Sequence, residues 1–119
     1  MQFHEFLNGY LEGILFISQT PDGEPLDRNG FAISDIEEDS RDVLRAHALS
    51  FFSQALPFMS IESGDAWNCG HRFAMTQTRQ GTGFWDGDFP IYGDMLTKLS
   101  HCYPEGVAFS ADGDALTIG

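Results

Sequence analysis

The stretch from Gly70 to Asp86 constrains this chain most. It holds two of the six basic residues, one of the two tryptophans, and Gly70, Gly81 and Gly83. Phe73 and Met75 alternate with Ala74 and Thr76, as a half-buried strand requires. Gly81 and Gly83 bracket a turn in which positive φ is tolerated. Phe84 and Trp85 then point to opposite faces of a second short strand. The stretch therefore predicts a strand, a glycine turn and a strand, with Trp85 in the core.

The flanking segments read as helices. Phe3, Leu7, Tyr10, Ile14 and Ile17 recur at spacings of four and three, which predicts an amphipathic helix over 3–17. Gly9 and Gly13 weaken its propensity but share one face, where a second element can approach closely. Pro21, Gly23 and Pro25 mark a turn, and a polar loop runs on to Gly30. Ser34-Asp35-Ile36-Glu37 reads as a capping box opening a second helix. Leu44, Ala48, Phe51, Phe52 and Ala55 are its buried stripe, and Pro57 its stop. Residues 57–69 read as irregular. Asp88 as N-cap and Pro90 in the first turn open a third helix, with Ile91, Met95, Leu99 and Cys102 as its apolar stripe. Val107 and Phe109 face Leu116 and Ile118 across an Asp112-Gly113 turn, a strong hairpin signal. The expected fold is α+β: three helices on one face of a mostly antiparallel four-stranded sheet built from two hairpins. A chain of 119 residues is expected to be one domain, 1–119.

Charge narrows the function. There are 18 acidic against 6 basic residues, a net charge of −12. Phosphate contacts need clustered Lys and Arg, so direct nucleic-acid binding is not expected. A basic protein surface is the expected partner. Residues 22–42 are the densest acidic segment, with eight acids against Arg28 and Arg41. Helix-dipole complementarity accounts for Asp35, Glu37 and Glu38 in part. The start Met1-Gln2-Phe3-His4-Glu5 lacks the basic region of a secretory signal, and no apolar run reaches membrane-spanning length. The expected location is the cytoplasm, with Cys69 and Cys102 reduced.

Gly70-His71-x-Phe73-x-x-Thr76 followed by Gly81-x-Gly83-Phe84-Trp85-Asp86 resembles a signature of small acidic proteins of tailed phages and prophages. Arg72, Ala74 and Gln77 stand where that pattern has Asp, Trp and Arg, and Gly87 where a basic residue often follows. The resemblance implies a phage-type origin and, by association with small acidic phage proteins, inhibition of a host defence complex such as a CRISPR–Cas effector, in the host cell cytoplasm.

Candidate sites follow. Asp35, Glu37, Glu38, Asp39 and Asp42, with Asp86 and Asp88, are the carboxylates expected to meet a basic surface as phosphate substitutes. Phe89, Tyr92 and Trp67 are candidate anchors, and an apolar patch would allow two copies to pair into a homodimer. Cys69, His71, His101 and Cys102 match zinc in number and type but not in spacing. Cys69 with His71, or His71 with Asp86 and Asp88, would be catalytic groups, but no oxyanion-hole or metal motif accompanies them. Gln80-Gly81-Thr82-Gly83 lacks the following helix of a phosphate loop. The reading is a non-enzymatic inhibitor without a cofactor. The alternatives are a phage accessory or structural protein, or a small metal or nucleotide binder.

Overall fold

The computed structural model describes residues 1–118. It contains four α-helices: α1 (Phe3–Ile17), α2 (Glu38–Glu62), α3 (Ala66–Gln77) and α4 (Gly93–Ser100). Short 3-10 turns occupy Leu26–Asn29 and Ile33–Asp35. Strands β1 (Phe109–Asp112) and β2 (Ala115–Ile118) form an antiparallel two-stranded sheet, with Phe109 opposite Ile118. The expected four-stranded sheet with three helices is therefore incorrect. The C-terminal hairpin and α1 form as the sequence predicts.

Residues 66–77 form a helix where a strand was expected. The alternation read from four residues is absent, because Phe73, Ala74, Met75 and Thr76 are all buried. The longer pattern Ala66, Cys69, Gly70, Phe73, Ala74 and Gln77 follows a helical period, and all of these residues are buried. Asp65 caps the start by accepting the Asn68 amide at 3.0 Å. The end is a Schellman closure: Gln80 N–H donates to Met75 O at 3.0 Å and Arg79 N–H to Thr76 O at 3.3 Å. Arg79 takes the left-handed conformation there (φ 59°). The expected second strand is irregular chain, held in place by side chains.

The three early glycines of the two central helices explain why α3 can lie on α1. A Cβ on Gly9 would fall 2.0 Å from the Trp67 carbonyl oxygen, and one on Gly70 2.0 Å from the Phe6 carbonyl oxygen. A Cβ on Gly13 would lie 2.6 Å from the Ala74 Cβ. Gly9 faces Trp67 and Gly13 faces His71 and Ala74, so contacts advance in the same direction along both helices, which run parallel. The core grows from this seam. Phe51 stacks on Phe73 at 4.1 Å between centroids, and Tyr10 on Phe73 at 4.8 Å. The Tyr10 hydroxyl donates to Gln77 Oε1 at 2.6 Å, and Gln77 Nε2 donates to Pro104 O at 2.9 Å. This chain satisfies the buried polar groups and ties the segment after α4 to the seam.

The expected boundaries of α2 also differ. The helix passes through Pro57 and ends at Glu62. Its apolar stripe continues beyond the proline, with Met59 buried and the Phe58 ring 4.9 Å from that of Tyr92. These contacts offset the lost hydrogen bond. The Glu62 carboxylate then accepts the amides of Ile91 (2.6 Å) and Tyr92 (2.9 Å), ahead of α4. It does the capping expected of Asp88. The Ser34–Glu37 capping box is absent: Asp35 Oδ2 instead accepts the Ala32 amide at 2.8 Å. Within the expected third stripe Ile91, Met95 and Cys102 are exposed, and the buried residues of α4 are Gly93, Leu96 and Ser100.

Helix propensity alone would make Gly70→Ala stabilising by about 1 kcal/mol. The seam predicts the opposite sign, a loss of about 1–3 kcal/mol or more from overpacking against backbone. Gly81 has nothing within 4 Å of its Cβ position, so Gly81→Ala should change stability by less than about 0.5 kcal/mol. Denaturant melts of the two variants check this. A Gly70→Ala protein as stable as the parent would contradict the seam.

Candidate functional site

The first acidic surface lies at the start of α2. Glu37 is pinned by its amide, which donates to Leu116 O at 2.8 Å, and Ile36 makes a parallel bridge to Leu116. Ser40 Oγ accepts the Ile118 amide at 3.1 Å. The hairpin therefore fixes the acidic segment, leaving Glu37, Glu38, Asp39 and Asp42 exposed. Asp35 is half-buried and spends one oxygen on Ala32. The hairpin turn adds Asp112 and Asp114, and Asp114 lines a hollow of about 280 Å³ with Asp35 and Phe31. These two acids were absent from the expected site, although the Asp-Gly-Asp turn was visible in the sequence. Among the described residues the ion pairs are Arg72–Asp86, Arg72–Asp88 and Arg79–Glu105. Arg41 gives its guanidinium to the Ile33 carbonyl rather than to a carboxylate. Among the described residues, the carboxylates at the start of α2 therefore form no ion pair.

Asp86 and Asp88 belong to a different arrangement. Arg72 of α3 donates to Asp86 at 3.0 Å, to Gly83 O at 3.1 Å, and to Asp88. Asp86 also accepts the Gly83 amide at 3.0 Å and the Thr82 hydroxyl. Thr76 Oγ1 donates to Arg72 O at 2.7 Å and accepts the Phe84 amide at 3.2 Å. This clasp holds the 82–88 loop on α3. The hydrogen bonds from Thr82 and Gly83, then the Arg72 charge, hold the Asp86 carboxyl below the usual range. The amide that a glycine phosphate loop would offer is already taken by a carboxylate.

The expected aromatic anchors divide. Phe89 is 4 % exposed and packs edge-on against Phe84 at 5.1 Å, so it is core. Tyr92 is half-buried on Phe58. Trp85, expected in the core, is 43 % exposed. Trp67 is also exposed. Tyr92 sits at the C-terminal end of α2, beside Glu62, whereas Glu37–Asp42 lie at its start. A helix of 25 residues spans about 37 Å, so the expected site residues do not converge on one surface.

The catalytic and metal readings find no geometry. Cys69 and His71, two apart on a helix rather than a strand, point to different sides. Cys69 is fully buried, and burial pushes its thiol up to about 11, far from a thiolate at neutral pH. His71 is pushed below its ordinary value by burial and then by Arg72. No group of three or more His, Cys, Asp or Glu among the described residues is placed to hold a metal. An apolar hollow of about 430 Å³ beside His47, Val107 and Ile118 contains none of the expected site residues.

The residues of the Gly70–Asp86 motif are mostly structural. Gly70 and Phe73 form the seam and core, Thr76 bridges to Phe84, and Gly83 and Asp86 close the clasp. Arg72, at a position where the pattern has Asp, is the cation of that clasp. No helix among the described residues is long and apolar enough to cross a membrane. Comparison with family models, with curated proteins and with solved structures finds no match.

Two outcomes are expected. At pH 8 iodoacetamide should label Cys102 in the folded protein and leave Cys69 unmodified until denaturant is added; rapid modification of Cys69 would contradict its burial. The folded carboxyl of Asp86 is depressed, so its contribution is present above about pH 4, the unfolded value, and is lost as pH falls through the lower folded value. The Gly83 amide resonance should therefore shift as pH drops below about 4, and Asp86→Ala should abolish that shift and accelerate exchange of this amide at pH 6. An amide indifferent to both changes would rule out the clasp.

Proposed function

We propose that this chain is a non-enzymatic, phage-type inhibitor that binds stoichiometrically to a basic, nucleic-acid-handling surface of a host defence complex, with a CRISPR–Cas effector as the target class. The observation that carries this reading is the acidic surface at the start of α2. Glu37, Glu38, Asp39 and Asp42 are exposed and make no ion pair among the described residues, and the hairpin fixes the backbone that presents them. Carboxylates accept charge-assisted hydrogen bonds from Arg and Lys as phosphates do. A surface built to hold a phosphate backbone would accept them, and nucleic acid would be displaced by competition. The net charge of −12 adds long-range steering toward such a surface. The phage-type origin is supported by the signature residues alone. The proposed location is the host cell cytoplasm, where such complexes act.

The test is a tagged pull-down from lysates containing CRISPR effectors, washed at low and high salt and read by mass spectrometry. One effector complex should be recovered and should be lost as salt rises toward about 0.5 M, where the Debye length falls to a few ångströms. Combined Glu37→Lys, Glu38→Lys and Asp39→Lys should abolish recovery while leaving the melting temperature within a few degrees. A triple variant that binds unchanged would overturn the acidic surface as the binding site. Recovery of no effector by the folded parent would turn the reading toward an accessory role.

A further inference from the structure

The parallel seam of α1 and α3 sets the outer edges of both helices side by side. Phe16, in the last turn of α1, lies 5.9 Å from His71 of α3, and His71 stacks on Trp67 at 5.1 Å with the rings 25° apart. Three rings therefore run in a row. Trp67 and His71 form one wall of a cleft of about 320 Å³ whose other walls are Asn68, Arg72, Met75 and Thr82. Phe16 is 60 % and Trp67 45 % exposed. Single exposed aromatics are ordinary; here a row of three lies beside a cleft at the small end of ligand-pocket size.

Charge identifies the occupant. Arg72 is the cation in the cleft, and it already faces two carboxylates, Asp86 and Asp88. The Arg72–Asp86–Asp88 cluster is therefore net negative, and Asp86 borders the cleft through Thr82 and Arg72, which line it. Burial and then Arg72 push His71 below its ordinary value, which disfavours a positive charge there. A partly exposed indole beside a cluster of net negative charge suits a planar cation: the ring quadrupole attracts it, and guanidinium stacks on aromatic faces. Nothing in the cleft offers an anion an unpaired cation.

We propose that this cleft receives an arginine side chain from the partner's basic surface, with its guanidinium stacked on Trp67 and facing the Asp86–Asp88 edge. This rests on the partner-binding reading above but on none of the same residues, so it would be a second, shape-selective anchor beside the diffuse acidic surface. Trp, Tyr and Arg in well-packed pockets are the usual centres of binding energy.

The test uses the full chain and an acetylated Gly-Arg-Gly-Arg-Gly amide, with its citrulline twin as the uncharged isostere. Titrations are followed by calorimetry and by the Trp67 indole N–H resonance. The arginine peptide should shift that resonance and bind about tenfold more tightly than the citrulline peptide. Trp67→Ala should remove that advantage, and Trp67→Phe should retain part of it. The Glu37, Glu38 and Asp39 charge reversal should leave the indole shift in place. Equal binding of the two peptides, or a Trp67 resonance that does not move, would overturn the cleft assignment, and the parent resonance decides this even if a variant fails to fold. A shift produced by adenosine monophosphate but not by the arginine peptide would overturn it in favour of an anionic ligand on Arg72. An indole shift together with undiminished effector binding by the charge-reversed protein would keep the cleft and remove the acidic surface.

Discussion

The rest of this structure depends on how closely α1 and α3 approach. At Gly9 and Gly70 each helix touches the other's backbone, at distances where a Cβ would collide with a carbonyl oxygen. Such proximity maximises dispersion contact along the seam and carries large side chains outward on both sides. On the inner side Phe6, Tyr10 and Phe73 meet Phe51 and begin an aromatic core. On the outer side Phe16, His71 and Trp67 are left as a row. The same seam thus produces the core and the cleft.

The loop after α3 follows from it. With α3 fixed, Arg72 and Thr76 present one edge to residues 82–88, and the clasp forms on that edge. Glu62 closes the far side by capping the approach to α4. The 82–92 segment is thereby held by charged side chains rather than by a sheet. The acidic start of α2 is fixed separately, by the hairpin. The protein so presents an open, diffuse acidic surface at the start of α2 and a narrow aromatic cleft beside the Arg72 clasp.

Local signals predicted some of this well. The period of α1 and its paired glycines, the stripe of α2, and the Asp112-Gly113 hairpin depend on short-range pattern and turn chemistry, and each is found in the structure. The stretch from Gly70 to Gln77 was misread because alternation over four residues cannot separate a strand from a helix buried on most of its surface. Asp65 as N-cap and the seven-residue recurrence from Ala66 were the available signals. Pro57 misled because its local cost is exceeded by contacts distant in sequence, through Met59, Phe58 and Glu62. Asp86 and Asp88 looked like free carboxylates because their cation, Arg72, is fourteen and sixteen residues away. Phe89 and Trp85 exchanged their expected roles, since which ring of an irregular loop faces inward is set by tertiary packing rather than by sequence period.

The central claim is the helical seam, and nuclear Overhauser contacts test it most directly. Close contacts should appear between the backbone protons of Gly9 and Trp67, and between those of Phe6 or Tyr10 and Gly70, with helical shifts through Gln77. Cross-strand Hα–Hα contacts between residues 73–76 and 82–86, with no contacts from α1 to Gly70, would contradict the account and restore a sheet in place of the seam.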